Sequence, residues 1–230
     1  MYTSSSVSVS VPKKYTTNLN VIASSTLDNN SWNTISSVSR NGNATMLWSV
    51  GDVKKVTVDG TQYDTRILGF NHDISNSITF DFAQVFLKSV PANSTSTNVG
   101  GYFNSNLASV ASSYSTKVPM HGYMRYVSKK ASAGNTSSTI VSGVVDLFFL
   151  AEVEVAGTTE YSFPGEGYQY SYYASGNSKL KYFPSGGRDQ PWHLRSPRKQ
   201  ANDAFCLMWK GNVAFNGAEV HEYVSMAFVI

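Results

Sequence analysis

The side chains that could act as acids, bases, nucleophiles or metal ligands are few and scattered. His72 beside Asp73 is the one close histidine–acid pair, His121 and His193 stand apart, and His221 lies between Val220 and Glu222. Histidines so placed read as surface or packed residues, and no metal site is expected. A hydrolase working with two carboxylates has Glu152, Glu154 and Glu166 to draw on. Glu152 and Glu154 flank Val153, which in a strand puts both on one face, and that face is expected to meet solvent. Gly165-Glu166-Gly167 and Ser185-Gly186-Gly187 have the glycine content of phosphate-cradling loops. Neither lies between a strand and a helix start, so both read as turns. No Ser/His/Asp arrangement rises above chance. No catalytic residue and no cofactor are expected.

Side chains suited to recognition gather in one stretch, Arg198 to Tyr223. Trp209, Phe215, Tyr223, Arg198 and His221 offer large contact areas and mixed polar contacts at low entropic cost, the chemistry of interface hot spots and antibody-like contact surfaces. Gly211 and Gly217 interrupt the stretch, and no helical or strand period hides these residues in a core. The competing reading makes Trp209, Phe215 and Tyr223 core aromatics and the charges solvated loop decoration.

The elements that must hold such a stretch are mostly strands. Among 230 residues, 41% are hydrophobic and 13% aromatic but only 14% charged, which excludes general disorder and favours short strands and turns over ion-paired helices. A net charge of +3, from 18 basic and 15 acidic residues spread along the chain, lacks the basic stripe that nucleic acid requires. With Cys206 the only cysteine, no intrachain disulfide can form, which fits assembly in a reducing cytoplasm. Met1 to Val11 has no basic segment followed by an apolar one, so no signal peptide is expected. No apolar run reaches membrane-spanning length.

Ser31 as cap, with Trp32, Ile35 and Val38 three apart and Asn41-Gly42 as the stop, predicts a helix over 31–40. Val53 to Val58, Asp59-Gly60 and Tyr63 to Phe70 predict a hairpin, and Ser77 to Phe86 a further strand. Tyr102, Phe103, Leu107, Val110 and Tyr114 predict a second helix ending before Pro119, and two short helices are all that the periodicity supports. Strands are expected over Tyr123 to Val127 and Thr139 to Val155, with an exposed linker from Lys129 to Ser138. The run Val144 to Leu150 reads as a buried central strand. Glu160 to Gly187 reads as a long irregular functional loop, and Val224 to Ile230 as a terminal strand. Residues 1–30, with Val7, Val9 and Val11 alternating with serine, read as an attachment or oligomerisation arm, and 31–230 as one ligand-binding domain.

The segment Pro191-Trp192-His193-Leu194-Arg195-Ser196-Pro197, followed by Phe205-Cys206 and Gly211-Asn212, resembles a family of phage and gut-bacterial domains with a Trp-Trp-Leu-Arg-Ser-Pro core. Here His193 replaces the second Trp. Trp48 to Asp52, Ile67 to Asp73, Leu147 to Glu154 and Gly165 to Gly167 fit the same family in order, so the resemblance covers Trp32 to Ile230. That family is similar to the C-type-lectin fold and includes variable proteins of diversity-generating retroelements. The resemblance thus implies an α+β, C-type-lectin-like fold, β-rich with two short helices and long irregular loops. Typical members carry asparagine strings after the core, where this chain has unlike side chains, and its ending at Met226, Ala227 and Val229 also differs.

Several absences bear on chemistry. Formylglycine-generating enzymes, which share that topology, need two cysteines, and only Cys206 is present. The calcium-lectin tripeptide Glu-Pro-Asn or Gln-Pro-Asp is missing, and Gln190-Pro191-Trp192 matches only its first two positions. Trp192 and Arg195 are expected to be scaffold, the Trp buried and the Arg satisfying backbone carbonyls.

The resemblance implies a non-enzymatic adhesin of a phage tail tip or fibre, diversified by a retroelement and located in the virion tail. Its ligand surface comprises Arg198, Lys199, Gln200, Asn202, Asp203, Leu207, Trp209, Lys210, Val213, Phe215, Asn216, Glu219, Val220, His221, Glu222 and Tyr223. Phe205, Cys206, Gly211 and Ala218 are framework between them. The partners implied are a host cell-surface receptor, protein or glycan, and other tail proteins, in a homo-oligomer such as a trimer, with no nucleic acid and no membrane insertion. A structural virion component and a glycan-processing enzyme are the alternatives.

Overall fold

The computed structural model describes residues 23–86 and 88–230, and the Val7 to Val11 strand lies outside them. Ala23 and Leu27 are already buried in the core. The carbonyl oxygens of Asp28 and Asn30 accept hydrogen bonds from Lys54 Nζ at 3.2 and 2.6 Å. The folded unit therefore takes in residues 23–30, because they supply acceptors that a buried ammonium needs.

Helix α1 (Trp32–Arg40) starts where Ser31 Oγ accepts the Thr34 amide at 3.1 Å, and Gly42 (φ 73°) follows its end. Its inner face sets the Trp32 ring edge-on to Phe80 and Phe228, with centroids 5.5 and 5.7 Å apart. A single turn, α2 (Ala44–Leu47), follows. Strands β1 (Val53–Val58) and β2 (Thr61–Phe70) form the predicted hairpin. Asp59 and Gly60 at its tip have φ of 48° and 79°, the conformation that matches a tight turn to strand twist. Next come β3 (Ile78–Phe82), β4 (Ser89–Pro91) and helix α3 (Asn106–Ser115), which Ser105 caps. The second half comprises β5 (Val127–Ser132), β6 (Ile140–Val145), β7 (Leu147–Phe148), α4 (Glu152–Ala156), α5 (Ser171–Ala174), β8 (Trp192–Pro197), β9 (Ala204–Trp209), β10 (Asn212–Gly217), β11 (His221–Tyr223) and β12 (Ala227–Val229).

The described residues thus form a β-rich α+β architecture. One sheet has the order β1-β2-β3-β12-β7, a second β10-β9-β8-β11-β4, and β5-β6 stand as a separate hairpin. Alternation along β12 explains how the first sheet joins two cores. Phe228 packs with Trp32, Phe80 and the helices, whereas Ala227 and Val229 pack with Trp192, Leu194 and Met208 of the second sheet.

Three expectations are corrected. The strand expected over Thr139 to Val155 ends at Phe148, and the chain turns into α4. Two contacts settle this: Glu154 Oε2 accepts the Ala151 amide at 2.9 Å, and Ser196 Oγ accepts the Glu152 amide at 2.9 Å, so the first turn finds partners that a strand would not give it. The linker predicted from Lys129 is β5 as far as Ser132, with Lys129 and Ala131 inward. Finally, α2, α4 and α5 are helices of four or five residues, too short to carry a visible helical period.

Candidate functional site

The β9–β10 hairpin closes on Lys210 and Gly211, whose φ values of 50° and 78° make another tight two-residue turn. Trp209 precedes the turn and is 52% exposed, the first exposed residue after five buried ones in β9. Pairing of Trp209 with Asn212 and of Leu207 with Ala214 puts these residues on one face of the sheet. That face lines a cleft of about 480 Å³, closed on its other side by the loop Arg188 to Pro191.

The cleft gathers Leu207, Trp209, Lys210, Phe215, Asn216 and Glu222 from the predicted surface. Leu207 is corrected from an exposed contact to the buried floor, 3% exposed, because β8 and β10 flank β9 on both sides. Phe215, 39% exposed, has the Arg198 guanidinium 3.4 Å from its ring centroid and the Tyr161 ring at 5.2 Å. Asn216 Nδ2 donates to Glu222 Oε1 at 2.8 Å, linking β10 to β11. Phe205, Cys206 and Ala218 are buried, as framework residues should be.

The remaining predicted residues do not line the cleft. Lys199 Nζ donates to the Thr159 carbonyl at 2.5 Å and Gln200 Nε2 to that of Glu160 at 3.4 Å, so both anchor the long loop. Asn202 and Asp203 are exposed, and their carbonyls accept the amides of Asn98 and Ala218 at 2.6 and 2.7 Å. Val213 is half-buried against the second core, and Tyr223 packs edge-on to Phe183 at 4.9 Å. Glu219 and Val220 are exposed between β10 and β11, and His221 is exposed at the start of β11.

Sequence reasoning missed Asn98 and the Arg188 to Pro191 loop. Fully buried Asn98 donates through Nδ2 to the carbonyls of Ala201 and Ala204 at 3.0 and 2.8 Å and accepts the Asn135 amide at 2.7 Å. It thereby fixes the entry to β9. The loop had one signal, the incomplete Gln190-Pro191 tripeptide.

Beneath the site lies a buried ionic network. Arg195, fully buried, spends every guanidinium hydrogen: Nε on Lys130 O (2.8 Å), Nη1 on Phe149 O (2.8 Å) and Glu154 Oε2 (2.6 Å), Nη2 on Glu154 Oε1 (2.8 Å) and Glu166 O (2.7 Å). Its expected scaffold role holds, with Glu154 as an added partner, and Trp192 is buried beside it. The expectation that Glu152 and Glu154 face solvent is corrected, since both are buried. Burial raises the Glu154 pKa, but Arg195 and Lys129, the latter at 2.6 Å, hold it below the usual carboxylate range. Glu166 accepts from the Ser132 amide at 2.8 Å and from Ser196 Oγ, yet burial pushes its pKa up to about 7. These carboxylates are committed to the protein's own donors. Glu152 likewise accepts the Tyr161 amide at 3.1 Å and the Cys206 thiol at 3.7 Å. His72 is held between the rings of Tyr168 and Tyr170, at 3.9 and 3.8 Å. Among the described residues no group of three or more His, Cys, Asp or Glu side chains could hold a metal ion, and no helix is long and apolar enough to cross a membrane.

The cleft beside Trp209 at the β9–β10 hairpin is therefore the candidate site; no family model, no curated protein and no solved structure matches this chain.

Proposed function

We propose that this chain is a non-enzymatic recognition protein that binds its ligand in the cleft between the β9–β10 hairpin and the Arg188 to Pro191 loop. The observation that carries this reading is the separation of side chains along one short stretch. Trp209 and Lys210 are exposed at a cleft, while Phe205 and Cys206 before them and Ala218 after them are buried. A backbone pinned by core residues lets the contact side chains differ without moving the frame, which suits exchangeable recognition.

The resemblance to C-type-lectin-like variable proteins of retroelements extends this reading to a diversified adhesin of a phage tail tip or fibre, displayed as a homo-oligomer such as a trimer and directed at a host surface protein or glycan. Multiple copies would add avidity to weak single-site contacts. Two measurements test it. Binding of the full chain to intact bacterial cells should be lost in the Trp209→Ala/Lys210→Ala variant while its circular dichroism stays unchanged, since both residues are exposed. Unchanged cell binding would sink the cleft as the site. An adenine-rich imperfect copy of the codons for Arg198 to Tyr223 beside a reverse-transcriptase gene is the expected genomic sign of diversification, and its absence removes that part of the proposal.

A further inference from the structure

We infer that strand β6 is an interface between two copies of this chain, pairing antiparallel with itself across a two-fold axis to make one sheet β5-β6-β6-β5. No β6 residue lines the ligand cleft, so the inference is independent of it. The direction of each backbone group shows which edge is open. The Ala133 amide donates to the Thr139 carbonyl at 2.9 Å, so odd-numbered residues of the two strands face each other. By the two-residue repeat, Val127, Lys129 and Ala131 bond Val145, Gly143 and Val141, and even-numbered groups point away from the hairpin. On the β5 side they are spent: Lys130 O accepts from Arg195 Nε at 2.8 Å, and the Ser132 amide donates to Glu166 Oε1 at 2.8 Å. On the β6 side, the N–H and C=O groups of Ile140, Ser142 and Val144 have no hydrogen-bond partner among the described residues. Ser142 is exposed and Val144 is 70% exposed, so a partner strand can reach this edge.

The open groups are complementary to their own image, which is what selects a second copy as the occupant. Placing Ser142 opposite Ser142 of the other copy sets Ile140 opposite Val144 and Val144 opposite Ile140. All three are pairs whose backbone groups point at each other, so together they exchange about six hydrogen bonds. The side chains of Ile140, Ser142 and Val144 share one face, and each copy thereby sets its Ile140 against the other's Val144, a β-branched cross-strand pair. The opposite face is already closed by Phe103, whose ring a Cβ at Gly143 would approach to 2.4 Å.

Edge strands that remain single are guarded by a charge, a proline or a bulge. Ile140–Val145 has none of these: no charged residue, no proline and an unbroken register. A sheet of two strands is marginal where one of four is not. Lys130, paired with Ser142 within each copy, would stand three strand spacings from its counterpart, about 14 Å, past the screening length of about 10 Å. Because the contact is isologous and uses each β6 once, it closes at two copies.

Sedimentation velocity of the full chain from micromolar to millimolar concentration should show a reversible monomer–dimer equilibrium. Ser142→Pro removes an outward N–H without taking a bond from β5, and Val144→Lys sets a charge on the exposed edge. Each should weaken the dimer about tenfold or more with circular dichroism unchanged. The register has its own readout. Cα atoms of a hydrogen-bonded antiparallel pair lie about 5.5 Å apart, within disulfide reach, so Ser142→Cys should cross-link two chains under mild oxidation and Ser128→Cys should not. Cys206 is buried and does not compete. A chain that stays monomeric to millimolar concentration, as an edge covered by residues 1–22 would make it, overturns the inference. So does a trimer as the sole associated species, a dimer that both edge variants leave intact, or a cross-link through Ser128→Cys in place of Ser142→Cys.

Discussion

Glu166 carries the clearest pH signature of any side chain near the site. Its folded pKa, about 7, lies above the 4.5 of a free glutamate, so the folded state keeps a proton over a range where the unfolded chain has lost it. The resulting stabilisation is complete below about pH 4.5 and is lost as pH rises through 7. Glu166→Gln keeps a neutral group between Ser132 and Ser196 at every pH. Unfolding free energy of the variant relative to the natural chain should therefore rise by about 2–3 kcal/mol from about pH 5 to about pH 8. Urea denaturation of both chains checks this, and parallel pH curves would refute it. Taking the difference matters because His193, lowered to about 4 by burial against its hydrogen bond to Val90 O, adds an opposite slope over the acidic part of that range.

At the scale of elements, the entry to β9 depends on one side chain. Replacing Asn98 with Ala removes the donors to Ala201 O and Ala204 O and the acceptor of the Asn135 amide, and loss of buried partners costs about 1–3 kcal/mol per stranded group. Amide hydrogen exchange in 198–204 and around 135 should accelerate, with α1 and the β1–β2 hairpin unchanged. Uniform acceleration would show that Asn98 supports global stability instead. Elements of this kind differ in how far their residues announce them. Helix α1 and the β1–β2 hairpin were legible because Ser31, the spacing of Trp32, Ile35 and Val38, and Asp59-Gly60 act within a few residues. Helix α4 was not, because its five residues carry no full helical period and one of the two acceptors of its first turn is Ser196, far along the sequence. The cleft divides the same way. Trp209 and Phe215 stood out as aromatics without a period to bury them, whereas the Arg188 to Pro191 loop becomes a cleft wall only once the hairpin folds against it.

For the whole molecule, the decisive placement is that of β12, which pairs with β3 on one side and β7 on the other and sends side chains into both cores. Removing residues 224–230 deletes Phe228 and Val229 and parts those strands, and a loss of several large buried side chains exceeds the few kcal/mol of net stability that domains possess. Such a chain should lack a cooperative melting transition, and a retained one would show that the first sheet closes without it.

An interior strand of the first sheet is thus encoded downstream of the stretch proposed to meet the ligand. A frameshift or premature stop anywhere in codons 198–223 deletes β12, so ribosomal errors in that stretch yield chains that cannot fold and are open to proteolysis. Folding itself acts as a parity check on the message, and every copy that survives has been read in frame through the proposed recognition surface.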